Sequence, residues 1–484
     1  MALSVQDAAL PRLVLAAPAS GHGKTTVATG LMAALTSSGM EVSGHKVGPD
    51  YIDPSYHALA TGRAGRNLDP HLQGTERIVP LLRHGAARPR PAEIAVVEGV
   101  MGLFDGALGT EGFASTAHVA RLTASPVVLV VDASAAARSV AALVHGFATF
   151  DPGVHVAGVI LNKVGSPRHE AELRASLDSI GMPVLGALHR SDAVSAPSRH
   201  LGLVPVHERH RESGHLLDAL RAWIADGVDL EALVRVARTA GALTEPEWDP
   251  AAALGTGAVP TGPTPTTPSG PRPVVAAAAG AAFTFRYAEN VELLEAAGVD
   301  VVDIDPTHDE VLPDGCSGLY FGGGFPEVHA APLAENAPLR RAVAHAAGRM
   351  PVVAECAGLT YLCRELDGQP MAGVLDASAR MTERRTLGYR TATAAGDNVL
   401  AATGDDVTGH EFHRTRVTPD AGPAPAWLLA AGPGRGDGDA AATGTPEGFA
   451  GPLLHASYLH VHWAGRTSLP ARFAAAARRA QHAT

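Results

Sequence analysis

A buried strand that runs into a glycine-rich loop, then a lysine, then at once a helix leaves a chain few folds to choose from. Here that stretch is "LVLAAPASGHGKTT", residues 13–26. Four apolar residues, Leu13–Ala16, precede the loop, and Val27, Leu31 and Leu35 follow at helical spacing, with Gly39 as the stop. A loop in that setting points backbone N–H groups and a helix N-terminus at a phosphate. Gly21 and Gly23 let the backbone approach closely, and Lys24 is placed to reach the β- and γ-phosphates of ATP. The Thr25 hydroxyl is placed to ligate Mg²⁺, with Thr26 beside it. Pro18 stands where the usual pattern has its first glycine, but the strand and helix context survives.

The theme recurs. "IAVV" (Ile94–Val97), "PVVLVVD" (Pro126–Asp132), "VAGVIL" (Val156–Leu161) and "PVLGAL" (Pro183–Leu188) are near-continuous apolar runs separated by helical patterns. They predict a parallel sheet covered on both faces. At 484 residues the chain exceeds one ordinary core, so two domains are expected. "GTGAVPTGPTPTTPSGPRP" marks the break: residues 1–240 form the first α/β domain, 241–272 a Pro/Gly/Thr-rich linker, and 273–484 a second α/β domain. "GPGRGDGDAAATGTPEG" reads as a surface insertion in the second.

A net charge of −11 argues against a nucleic-acid surface. No apolar run approaches the roughly 20 residues a membrane helix needs, and "LVLAAPAS" reads as a core strand rather than a leader. Three cysteines, Cys316, Cys356 and Cys363, without framework spacing, fit a reducing cytoplasm.

Mg²⁺ needs oxygens beyond one hydroxyl. "VVEGVMGLFDG" supplies Glu98 and Asp105, and "KVGPDYIDPSYH" supplies Lys46, Asp50, Asp53 and His57. Each alone is an ordinary turn or cap residue. Together, at the C-terminal ends of parallel strands, they fall where open α/β sheets bind ligands. Asn162 in "ILNKV" ends a later strand, where an amide can read a purine edge or simply close a turn.

"VAECAGL" (Val353–Leu359) raises a different chemistry. A thiol on a tight strand-to-helix elbow is exposed at the sheet's edge, with the next backbone N–H free as an oxyanion donor. Such a thiol also needs activation. "ASYLHVHW" offers His460 and His462, two residues apart on one face of a strand, as base and partner. "YFGGGFPE" offers consecutive glycine N–H groups. "HEFHR" is not a zinc-protease helix, because that motif needs histidine where Arg414 stands.

In order along the chain, "APASGHGKTT", "KVGPDYIDPSYH", "VEGVMGLFDG", "YFGGGFPE", "AECAGLTYL", "TLGYR", "GHEFH" and "ASYLHVHW" resemble the cobyrinic acid a,c-diamide synthase family, which includes hydrogenobyrinic acid enzymes. The resemblance implies a P-loop, dethiobiotin-synthetase-like domain followed by a class I, cobyric-acid-synthase-type glutamine amidotransferase domain of flavodoxin-like α/β fold. It implies ATP- and glutamine-dependent amidation of the a and c acetates of a corrinoid small molecule, in the cytoplasm, with no nucleic acid or membrane partner and with a homodimer as the one protein partner to consider. By the same resemblance Cys356 is the glutaminase nucleophile and His460 its activating histidine, with Gly323, Gly324 and Ala357 around the oxyanion. ATP falls to Gly21, Gly23, Lys24, Thr25, Thr26 and Asn162, Mg²⁺ to Thr25, Asp50 and Glu98, and the substrate carboxylate or acyl phosphate to Lys46, Asp53 and Asp105. His462 stands where many class I amidotransferases have glutamate, which leaves the third triad position open. Nickel sirohydrochlorin a,c-diamide synthase, cobyric acid synthase and a ParA-like ATPase switch are the competing readings.

Overall fold

In a computed structural model of the protein, residues 10–191, 210–256, 271–430 and 444–483 are described, with Val194 and the short pair Ser198–Arg199 and Gly202–Leu203 between them. Contacts divide the chain into units 1–248 and 249–484.

The first unit is built on seven parallel strands: β1 (Arg12–Ala16), β2 (Val42–Val47), β3 (Arg66–Leu68), β4 (Ile94–Glu98), β5 (Val127–Asp132), β6 (Val156–Val164) and β7 (Val184–His189). Their order is β3-β2-β4-β1-β5-β6-β7. Strand order reverses around β1, so the crevice beyond its carboxyl end is the fold's natural ligand site. Leu13, Val14, Leu15 and Ala16 are wholly buried, because a strand covered on both faces has no solvent side. Helix α1 (Lys24–Ser37) packs tightly on the helix His210–Gly227: a Cβ at Gly30 would stand 2.7 Å from Ile224 Cγ1. The Arg12 guanidinium is buried and, among the described residues, meets no carboxylate. It donates to the carbonyls of Thr123 (2.7 Å), Leu10 (2.9 Å), Ala124 (3.4 Å) and Gly241.

The second unit has a six-stranded sheet from β8 (Val274–Ala278), β9 (Asp300–Ile304), β10 (Cys316–Phe321), β11 (Val352–Glu355), β14 (Phe449–Gly451) and β15 (Leu454–Ser457). The order is β9-β8-β10-β11-β15-β14, parallel except for the edge strand β14. Between β11 and β14 the chain makes a long antiparallel pair, β12 (Ser378–Ala394) with β13 (Asp406–Thr418). The apolar-run reading does not see this pair, since its residues are mostly exposed or half-buried and carry no sustained apolar alternation.

Two boundary expectations change. The stretch 241–272 is not wholly a linker: Trp248 is buried with its ring edge-on to His84 at 4.9 Å, and Pro250–Thr256 is helical. Residues 257–270 lie outside the described residues. Of the expected insertion, residues 432–443 also lie outside them, but its end is core. Thr445–Glu447 pairs with Trp427–Leu429, and buried Glu447 accepts the Ser457 hydroxyl at 2.6 Å and the Tyr458 N–H at 2.7 Å.

Candidate active sites

Gly21 and Gly23 both adopt φ 88°, a left-handed conformation that costs glycine little. A Cβ at Gly23 would stand 2.4 Å from Asn162 Nδ2, so glycine is also required for space. Asn162 holds the loop: its Nδ2 donates to His22 O at 2.9 Å, while its Oδ1 accepts the Lys163 N–H at 2.8 Å. His22 Nδ1 accepts the Asp132 N–H at 2.9 Å, and Lys163 Nζ meets Asp132 Oδ2 at 2.6 Å. The loop is thereby fastened to the ends of β5 and β6.

Beyond it lies a buried charged cluster. Pairing of β1, β4 and β2 sets Leu15 beside Glu98 and Lys46 beside Glu98. Glu98 Oε1 accepts from Thr25 Oγ1 (2.6 Å) and Lys46 Nζ (2.9 Å), and Glu98 Oε2 meets His57 Nε2 at 2.7 Å. Asp53 Oδ2 takes Lys46 Nζ at 2.6 Å and the Thr25 hydroxyl at 3.2 Å. Burial opposes ionisation of Glu98, but Lys46, His57 and Thr25 outweigh it and hold the carboxyl well below its usual range. Asp53 goes the other way: burial, then the charges of Asp50 and Glu98, push it well up. Lys24 donates to the Met101 carbonyl, and burial, reinforced by nearby Lys46, lowers its ammonium to about 8.

Asp50 is engaged elsewhere. It opens helix α2 (Ile52–Thr61), its Oδ1 accepting the Ile52 N–H at 2.7 Å and the Asp53 N–H at 3.0 Å. The structure therefore brings Asp53, not Asp50, to the Thr25 hydroxyl. Asp105 Oδ2 accepts the Gly102 N–H at 2.9 Å and shapes the turn that abuts Pro18. Thr26 sits half-buried in the first turn of α1.

In the second unit Cys356 joins β11 to a helix, Ala357–Leu362, with φ 50° and ψ −96°. Such a backbone costs a non-glycine residue about 1–3 kcal/mol and persists only where the surroundings enforce it. Here the Cys356 N–H donates to Ser457 O at 2.8 Å and the Gly358 N–H to Gly322 O at 3.0 Å. The strain falls on the cysteine itself, so Ala357 is helical and needs no glycine. Main-chain N–H groups of Ala357 and Gly324 address the sulfur, which also lies 3.7 Å from Phe412 O. Burial, then the charge of Glu327, push the thiol far above its ordinary range.

The Gly323 N–H, expected at the oxyanion, is committed elsewhere: it donates to Phe285 O at 3.0 Å in a two-way bridge. Its glycine is needed for another reason, since a Cβ there would stand 2.4 Å from His460 Cε1. His460 is fully buried just past β15, not inside a strand, and pairs main chain to main chain with His410 at 3.0 and 2.9 Å. Burial and the neighbouring His410 and His413 push its imidazole well below the usual range. His462 faces Glu289, with Nε2 3.4 Å from Oε2, and packs on the Tyr287 ring.

Residues 13–204 match the CobQ/CobB/MinD/ParA nucleotide binding domain, and residues 274–468 match the CobB/CobQ-like glutamine amidotransferase domain. The chain is 57% identical to hydrogenobyrinate a,c-diamide synthase of Streptomyces coelicolor, covering 98% of this chain and 99% of that protein. It is 56% identical to the enzyme of the same name from Thermobifida fusca, over 98% of each. With cobyrinate a,c-diamide synthase of Gloeobacter violaceus the figures are 42%, 95% and 96%. The chain belongs to the cobyrinate a,c-diamide synthase family.

Within this synthase family member, the sequence motifs converge on two sites, one per unit. Sequence reasoning missed the brace formed by His22, Asp132 and Lys163. Lys163 belongs to "ILNKV", and its φ of 57° marks a turn that aims it back at the loop. Sequence reasoning also gave His57 no partner, although "SYH" places that residue one turn after Asp53 on α2, facing Glu98.

Proposed function

We propose that the protein amidates the a and c acetate carboxylates of a corrin ring in cobalamin biosynthesis, using ATP and glutamine, with metal-free hydrogenobyrinic acid as its ring. The relatives at 57% and 56% identity carry that substrate in their names, which supports the metal-free choice. One observation carries the reading: a single chain holds both a phosphate loop with buried carboxylates at Thr25 and a strained, N–H-lined cysteine elbow.

In the first unit the substrate carboxylate attacks the γ-phosphorus, ADP leaves, and an acyl phosphate forms. The loop N–H groups and Lys24 hold the phosphates, so the protein's work is positioning and charge neutralisation. The donor set suits Mg²⁺. Thr25, Asp53 and Glu98 converge hard oxygens, and burial, then the charges of Asp50 and Glu98, push Asp53 towards protonation. Bound there, Mg²⁺ would screen the charge of the β- and γ-phosphates.

In the second unit His460 takes the thiol proton as the Cys356 sulfur attacks the glutamine side-chain carbonyl. The Ala357 and Gly324 N–H groups then face the developing oxyanion. Ammonia leaves carrying the proton returned by His460, and water cleaves the thioester. That ammonia displaces phosphate from the acyl phosphate. A cytoplasmic setting suits the three free thiols, and no helix among the described residues is long and apolar enough to cross a membrane.

The test is product mass spectrometry with ATP, Mg²⁺ and glutamine against hydrogenobyrinic acid, cobyrinic acid and nickel sirohydrochlorin. Two carboxylate-to-amide conversions on the metal-free ring are expected. Conversion of nickel sirohydrochlorin alone would overturn the reading.

A further inference from the structure

The chain that carries His460 leaves the sheet at Ser457, the last residue of β15 to pair with β11. The next three residues lie outside that ladder, and a buried main-chain N–H without an acceptor destabilises any conformation that leaves it so. Each finds a partner of its own. The Tyr458 N–H donates to Glu447 Oε1 at 2.7 Å, the Leu459 N–H to Ser457 Oγ at 2.9 Å, and the His460 N–H to His410 O at 2.9 Å. The Ser457 side chain is fully buried, and its hydroxyl donates to Glu447 Oε2 at 2.6 Å. Glu447 is itself held: its carbonyl accepts the Ala426 N–H at 2.9 Å, and it stands opposite Trp427 in its own sheet. Beyond His460, Asn290, fully buried on α3 (Ala288–Ala296), donates from Nδ2 to Val461 O at 3.3 Å and accepts the Trp463 N–H on Oδ1 at 2.9 Å.

Ser457 also reaches the other half of the site, because its carbonyl accepts the Cys356 N–H at 2.8 Å. One residue therefore holds the nucleophile by its main chain and, by its side chain, the residue before the base. Resting on the glutaminase reading above, we infer that Ser457 and Glu447 are positioning residues for the Cys356–His460 pair. Ser457 turns the chain out of the sheet by accepting an N–H two residues on. Glu447 takes the Ser457 proton on one oxygen, which leaves Oγ free to accept from Leu459, and holds Tyr458 with the other. A class I triad would steady the histidine through a carboxylate two residues further on. Here that residue is His462, turned towards Glu289 and Tyr287. The aim of the His460 ring then rests on the main chain before it, and the bonds at Tyr458 and Leu459 fix that main chain.

The experiment compares glutamine-driven and ammonia-driven amidation in the full chain carrying Glu447→Ala, Glu447→Gln or Ser457→Ala. Glu447→Ala should lower glutamine-driven kcat about ten- to hundredfold, the scale of a misplaced catalytic group, with KM for glutamine and the ammonia-driven rate unchanged. Ser457→Ala, which removes a single oxygen, should lower it about tenfold in the same pattern. Glutamine at 447 keeps an acceptor for the Tyr458 N–H and offers an amide N–H to Ser457 Oγ, so Glu447→Gln should restore kcat to within about fivefold of the parent. Equal damage from Gln and Ala, a parallel fall in the ammonia-driven rate, or unaffected alanine variants would each overturn the inference. If Glu447→Ala does not fold, Ser457→Ala carries the test, and an unchanged glutamine-driven kcat overturns it. A Cys356→Ser control separates the two claims. If that variant still uses glutamine, the glutaminase reading fails; if it does not while the Glu447 and Ser457 variants behave as the parent, only the positioning role fails.

Discussion

Where the first unit surrounds its loop with Lys24, Lys46, Asp53 and Glu98, the second lines Cys356 with main-chain N–H groups and surrounds His460 with imidazole and aromatic rings. Both sites are buried, yet one is dense in charge and the other holds its proposed reactive pair, Cys356 and His460, neutral. The difference tracks the chemistry. Phosphoryl transfer begins and ends with anions, so fixed cations and a shared metal are useful throughout. Thioester formation begins with a neutral amide. A thiol pushed up and an imidazole pushed down leave an uncharged pair, and charge develops only as the donors of the elbow gain an oxyanion to bind.

The sharpest way to break this comparison is Cys356→Ser. Glutamine-driven amidation should fall about 10⁴-fold while the ammonia-driven reaction persists, because a weaker nucleophile disables one site only. An equal loss with both nitrogen sources would show that the two chemistries are not separable. Lys24→Ala should instead lower both rates together, by about 10²–10³-fold, on the scale of one lost electrostatic donor. Gly323→Ala places a Cβ against His460, and about a 10²-fold loss of glutamine-driven kcat is expected, with ATP affinity unmoved. Titration calorimetry with ATP from pH 7 to 9 probes the charged site directly. With the free Lys24 ammonium near 8, the proton is bound below that pH and lost above it, so affinity should weaken about tenfold per unit on the alkaline side, a limb that Lys24→Ala removes. The smallest expected effect is Asn162→Ala. It frees one hydrogen bond to the loop, about 1 kcal/mol, and should weaken ATP binding by roughly tenfold or less.

Local features were legible in the sequence where cause and effect sit within a few residues. The glycines, Lys24 and Thr25 come directly after β1, and Cys356 ends an apolar run, so each announces its geometry. Features set by distant pairing were not. Asp50 and Asp53 are three residues apart, and only the start of α2 decides that the first caps the helix while the second meets Thr25. The commitment of the Gly323 N–H depends on Phe285, and the mount of the segment around His460 depends on His410 and Asn290, from two separate elements. The pair β12–β13 escaped notice because one of its roles is to bring the backbones of His410 and Phe412 to the site, which needs no apolar signature.

The buried Arg12 sets a rule for anyone cutting this chain in two. Its guanidinium is solvated by carbonyls from both ends of the first unit, including that of Gly241. A fragment ending at residue 240 would leave a sealed cation short of an acceptor and would also discard Trp248 from its seat on His84. A stand-alone nucleotide-binding fragment is therefore best ended after Trp248, where the chain's first hydrophobic lock has closed.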